Sequence, residues 1–133
     1  MEQEMHKFSE WLRLGFHAGL GYMERNEEKR YDVRNILPET RSVIVVAHNY
    51  YTPYQHSHSD TQGKISRYAW GDDYHDVLPP KLEQISDEIK RLQPEAKTKV
   101  YTDTGAILEK QWAVRAGLGW QGKHSNVISR EIG

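Results

Sequence analysis

Residues 42–47 read SVIVVA, an apolar run that does not alternate. Successive side chains of a strand point to opposite faces, so a strand with one wet face alternates apolar and polar residues. A run that stays apolar at each position asks for cover on both sides. That is the pattern of a sheet with helices packed on both faces, and the expected fold class is therefore α/β (α+β). The length, 133 residues, suits one domain with one core.

The rest of the chain supplies helices for such a sheet. Residues 2–14 carry Met5, Phe8 and Leu12 at helical spacing, with Trp11 beside them and Gly15 placed as the stop. The charged segment from Tyr22 to Arg30 reads as a short solvated helix. Asp32 is placed to cap one turn, VRNIL, which Pro38 ends. From Leu78 the stripe Leu78, Leu82, Ile85, Ile89, Leu92 follows a 4,3,4,3 rhythm and reads as a core-facing helix ended by Pro94. Pro79 and Pro80 suit a first helical turn, so this helix starts either there or at an aspartate cap, Asp73.

A second strand is expected at residues 99–102, KVYT, rich in β-branched and aromatic residues. A sharp turn bearing Asp103 follows, then a helix over residues 106–116 with Gly117 as its stop. Asp103 has two readings. As Asp-Thr-Gly before a helix it is a cap, the simpler reading of the local pattern. As an acid at a strand's carboxyl end it stands where open α/β sheets bind ligands.

Several classes are excluded or refused. The chain has no cysteine, so disulfides, thiol chemistry and iron–sulfur ligation are outside it. The net charge of −1 gives no global basic field for nucleic acid. No apolar run reaches the roughly 20 residues of a membrane span, and no signal-peptide core opens the chain, so a cytoplasmic protein is expected. His56 and His58 form an H-x-H pair without a nearby third ligand, and no metal site is assigned. Residues 117–122, GLGWQG, match G-x-G-x-x-G, yet the glycines follow a helix when the dinucleotide mechanism needs them to open one. The eight-residue Walker pattern is absent as well. These glycines could still let backbone approach a bulky ligand.

The stretches WLRLGFHAGLGYMER, RSVIVVAHNYY, RYAWGDDYH, TDTGAILEK and AVRAGLGWQGKHSN, in this order, resemble the N-terminal domain of the epoxyqueuosine reductase family. The resemblance implies a nitroreductase-like corrinoid-binding fold, incomplete here, with residues 1–133 as a single partial domain. It implies reduction of epoxyqueuosine to queuosine in tRNA. Cobalamin would be the cofactor, fed by two 4Fe–4S clusters that the parent protein carries outside this chain. The partner would be tRNA, with no membrane, and the fragment alone would be inactive. An incomplete sheet exposes edges, so a homodimer or domain swap is expected.

The resemblance gives Asp103 the role of proton donor to the epoxide oxygen. That role needs its carboxyl kept protonated, by burial under corrin and substrate, against the pull of the following helix N-terminus. Cofactor contacts fall to Arg67, Tyr68, Tyr74 and His75 in the aromatic motif, to Asp103, and to Trp120, Gly122, Lys123, Ser125 and Asn126 in the glycine-rich loop. The resemblance implies Arg30 as a further cofactor contact. Gln121 and His124 depart from the family's usual apolar residue and asparagine. Two alternatives stay open: a non-catalytic corrinoid or flavin module, and a structural or interaction domain whose acid is only a cap.

Overall fold

The structure is a computed structural model that describes residues 2–132. The chain forms two compact units. One takes the N-terminal part up to Val46 together with the part from Thr104 onward, and the other is Ala47–Asp103.

The first unit begins with α1, Glu2–Arg13. Met5 is fully buried and Leu12 nearly so, as their helical spacing requires. Phe8 and Trp11 stack at 6.0 Å, and the Trp11 ring lies 5.9 Å from that of His17. The predicted stop is a full Schellman motif. Gly15 takes φ +70°, its N–H donates to the Leu12 carbonyl, and the Phe16 N–H donates to that of Trp11. The charged segment forms a 3-10 turn, Glu24–Asn26, and then α2, Glu27–Tyr31. Asp32 caps the next turn, Val33–Asn35, by accepting from the Arg34 N–H.

The same unit ends in α4, Glu109–Arg115, and a hairpin of β1, Trp120–Gln121, and β2, Val127–Ile128. The strands are antiparallel, with Trp120 opposite Ile128 and Gln121 opposite Val127. Gly117, at φ +80°, ends α4 in a second Schellman motif: its N–H donates to Val114 and that of Leu118 to Ala113. The helix begins later than its sequence suggests, at Glu109 and not at residue 106, with Leu108 as its uncapped start. A capping residue needs extended backbone, whereas Asp103 sits at φ +57°. The cap reading of Asp103 is thereby corrected, and no helix N-terminus follows it directly.

The second unit is a long loop, a 3-10 turn at Arg67–Ala69, and the 19-residue helix α3, Tyr74–Leu92. Asp73 is the cap of α3: its carboxylate accepts from the His75 N–H at 2.9 Å. Pro79 and Pro80 therefore lie beyond the first turn, inside the helix. The expected apolar stripe is only partly covered. Leu78, Leu82 and Ile89 are half-buried, Ile85 and Leu92 are exposed, and the buried residue is Ser86. At 3.6 residues per turn, Ser86 stands beside Leu82 on the covered line, and Ile85 and Leu92 stand on its edge.

Two expected strands need correction. Residues 42–47 form no strand, and Val43, Ile44 and Val46 are exposed, Ile44 by 63%. β-branched residues favour an extended backbone, but a strand exists only when a neighbour takes its N–H and C=O groups. Residues 99–102 likewise pair with no strand. Among the described residues the hairpin is the whole sheet, so the observed class is mixed helix with a small sheet, α+β.

Candidate active site

Asp103 reaches its place by a simple length match. After α3 the chain returns, and the Thr98 hydroxyl bonds that of Ser86 at 2.7 Å. From Ser86 back to Tyr74 is twelve helical residues, about 18 Å at 1.5 Å each. From Thr98 to Asp103 is five residues, about 17 Å when nearly extended. The returning chain thus runs beside α3 and delivers Asp103 to the helix's first residue. There the Tyr74 hydroxyl donates to Asp103 Oδ2 at 2.7 Å.

Three further contacts complete this corner. His75 Nε2 lies 3.9 Å from the same Asp103 oxygen. His75 Nδ1 meets Asp73 Oδ1 at 2.8 Å; a carboxylate only accepts, so Nδ1 carries the hydrogen. The Tyr74 and His75 rings lie 4.1 Å apart at 30°. The Asp103 side chain is 62% exposed, and its backbone is left-handed, a conformation that aspartate tolerates better than most residues. A carboxyl is thus presented to solvent on a chain anchored at both ends.

The electrostatics follow from these bonds. The hydrogen bond to Asp103 pushes the Tyr74 phenol up to about 12, with burial and the charge of Asp103 adding to it. Ionising this phenol would set a second negative charge against the carboxylate. The backbone and ring hydrogen bonds from His75 pull the Asp73 carboxyl below its ordinary range.

Arg67 and Tyr68 belong to the same unit. Arg67 donates to the Gln55 side chain at 3.2 Å and stands 5.9 Å over the Trp70 ring. Tyr68 is exposed, with Tyr50 edge-on at 6.4 Å. His56, of the H-x-H pair, packs edge-on to Trp70 at 4.7 Å.

In the first unit, Trp120, Gly122, Lys123, Ser125 and Asn126 form the hairpin and its turn. The Gly122 N–H donates to the Asn126 carbonyl, and Ser125 takes φ +68°. Lys110 Nζ donates to the Asn126 side chain at 3.1 Å. Open glycine space is found at Gly117, where an added Cβ would meet nothing within 4 Å, and the expectation is corrected at Gly119 and Gly122. A Cβ on Gly119 would stand 2.1 Å from the Ile128 carbonyl oxygen, and one on Gly122 would meet the His124 ring at 2.8 Å. These glycines admit the hairpin's own backbone and side chains. Gln121 donates to the Ser125 carbonyl, and His124 Nδ1 accepts from the Asn126 N–H, so both departures from the family pattern hold the turn. Arg30 is buried in this unit. It donates to the Met23 carbonyl at 3.2 Å and lies 5.9 Å over Phe8, and burial lowers its pKa.

Asp103, Tyr74 and His75, named from sequence, therefore meet at one corner. The residue that sequence reasoning left out is Asp73, which orients His75. Its signal was present, as a capping residue directly before Tyr-His.

Comparison with known proteins decides the family. The family model described as epoxyqueuosine reductase QueG, DUF1730, matches residues 30–104, more than half of the chain. The chain belongs to the epoxyqueuosine reductase QueG family. The matched span includes Arg30, the aromatic motif and Asp103. An epoxyqueuosine reductase of Synechocystis sp. is 46% identical over 132 residues, which is 99% of this chain and 45% of that protein. Another, of Atelocyanobacterium thalassa, is 47% identical over 92% of this chain and 39% of its own length. That of Cyclobacterium marinum is 35% identical over the whole chain and 43% of its own length. The chain spans less than half the length of these epoxyqueuosine reductases. No solved structure matches it.

Proposed function

We propose that this chain is the cobalamin-binding, proton-donating portion of an epoxyqueuosine reductase acting on tRNA, and that Asp103 is the proton donor. One observation carries the reading. A carboxyl that caps no helix is held on a segment tied to α3 and is exposed to solvent beside a tyrosine. Asp103 would give its proton to the epoxide oxygen as one carbon–oxygen bond breaks, so that the oxygen stays on the other carbon as a neutral hydroxyl instead of an alkoxide. Covering the carboxyl with cofactor and substrate removes water from it, and removing water favours the protonated form.

The second unit's surface suits a corrinoid chemically. Tyr68 and Tyr50 offer exposed rings with phenol tips for the corrin's rim amides, and Arg67 offers a guanidinium for a phosphate. Bound cobalamin would supply the reducing chemistry, with electrons from 4Fe–4S clusters elsewhere in the parent protein. The nitroreductase-like fold, a single partial domain over residues 1–133, and the inactivity of this portion alone belong to the same reading. Trp120, Gly122, Lys123, Ser125, Asn126 and Arg30 keep the cofactor-contact role that the family resemblance gives them. A tRNA-modifying role would put the protein in the cytoplasm.

The test joins this chain to the remaining part of the Synechocystis relative and measures turnover after reconstitution. Asp103→Asn is expected to lower turnover about 10²- to 10⁴-fold while cobalamin stays bound. Turnover at the unmodified rate would remove the role.

A further inference from the structure

From the corner at the start of α3 we infer that Tyr74 is the positioning residue for Asp103, its hydroxyl holding the carboxyl through both of its protonation states. The inference rests on the proton-donor reading and deepens it.

A proton donor passes through two states, acid before transfer and carboxylate after it. A partner that can only donate hydrogen bonds suits the carboxylate, and one that can only accept suits the acid. A phenol does both. It donates to the carboxylate, as in the 2.7 Å bond to Oδ2, and its oxygen can accept from the protonated acid by a rotation of hydroxyl hydrogens. The bond can therefore outlast the chemical step, and the carboxyl need not find a new rotamer at each cycle. Reacting groups must be held within a fraction of an ångström of their working geometry, so such a hold has kinetic value.

Tyr74 is itself held. It is the first residue of α3, and the Asp73 cap fixes the backbone at this point. On one side its ring lies against His75, whose Nδ1–H is taken by the Asp73 carboxylate. Asp73, His75, Tyr74 and Asp103 thus form a supported sequence in which each member limits the next. The groups that bear on the Tyr74 phenol are Asp103, Asp73 and the Tyr68 phenol, with the His75 ring stacked beside it. The hydroxyl of Tyr74, which the family resemblance makes a cofactor contact, bonds the acid.

The deciding experiment labels the chain with ¹³Cζ-tyrosine, assigns Tyr74 by its loss in Tyr74→Phe, and follows its shift with pH. In the unmodified chain the phenol is expected to ionise at about 12. Asp103→Asn should bring that ionisation down toward the ordinary value of about 10. It should also move the Tyr74 resonance at neutral pH, where the phenol loses its charged hydrogen-bond partner, and this neutral-pH change decides the matter even where alkali unfolds the chain. A Tyr74 signal indifferent to Asp103→Asn overturns the inference whatever Asp103 does in catalysis. Turnover in the joined reductase separates the two layers. Tyr74→Phe should lower kcat about ten- to a hundredfold with KM unchanged. Full turnover in Tyr74→Phe, with Asp103→Asn inactive, overturns the positioning role and leaves the proton donor standing. Full turnover in Asp103→Asn removes the proton donor, and the positioning role with it.

Discussion

Residues 42–47 and residues 98–103 are both β-type sequences, and they end differently. The first is the more apolar, yet it lies exposed and pairs with no strand. The second is shorter in apolar residues, yet it is tied to α3 at both ends, by the Ser86–Thr98 and Tyr74–Asp103 bonds. Composition favours an extended backbone in both. Only the second has side-chain anchors at a spacing that matches a helix, and anchors are what turn an extended segment into a positioned one. Function follows the anchored segment, because an acid has to be aimed.

Stability measurements test this contrast. The largest effect is expected from the first unit's true core. Met5→Ala removes a fully buried side chain and should cost about 2–5 kcal/mol in urea unfolding. Ile44→Thr, in the exposed segment, should change stability by less than about 0.5 kcal/mol. A cost for Ile44 close to that of Met5 would mean that residues 42–47 are covered, and the contrast would collapse.

The anchors come next. Ser86→Ala leaves the half-buried Thr98 hydroxyl without its partner and should cost about 1 kcal/mol. Adding Thr98→Ala should recover part of that loss, since both partners are then gone. Strict additivity would show that the two hydroxyls do not bond.

The smallest effects are those of pH. The Tyr74 pKa is raised to about 12, so its contribution is complete below the unfolded value of about 10 and is lost as pH rises from there through about 12. Asp73 is shifted the other way. Its contribution is present above the unfolded carboxyl value of about 3.9 and is lost as pH falls through the lower folded value. Tyr74→Phe should flatten the alkaline limb of the unfolding profile, and Asp73→Ser should flatten the acid limb while keeping a helix cap.

Much of this was legible in the sequence because it is local. Gly15 and Gly117 end helices as their positions dictate, Asp32 and Asp73 are caps, and the spacing of Met5 and Leu12 gives the buried face of α1. The resemblance carried by the aromatic motif and the acid turn led to the family that the comparisons support. What was not legible depends on partners distant in sequence. Strand pairing for residues 42–47 was expected from composition, but pairing is made by a neighbour that composition does not name. The cap reading of Asp103 failed because φ +57° is set by the turn. The Tyr74–Asp103 bond spans 29 residues, and only the length match between helix and returning chain brings it about.

Titrating the folded chain with cob(II)alamin asks whether this chain carries the cobalamin site. A saturable base-off shift in the visible and EPR spectra, weakened by Tyr68→Ala, is the predicted result. Spectra that stay those of free cob(II)alamin, with the chain folded by circular dichroism, would contradict it.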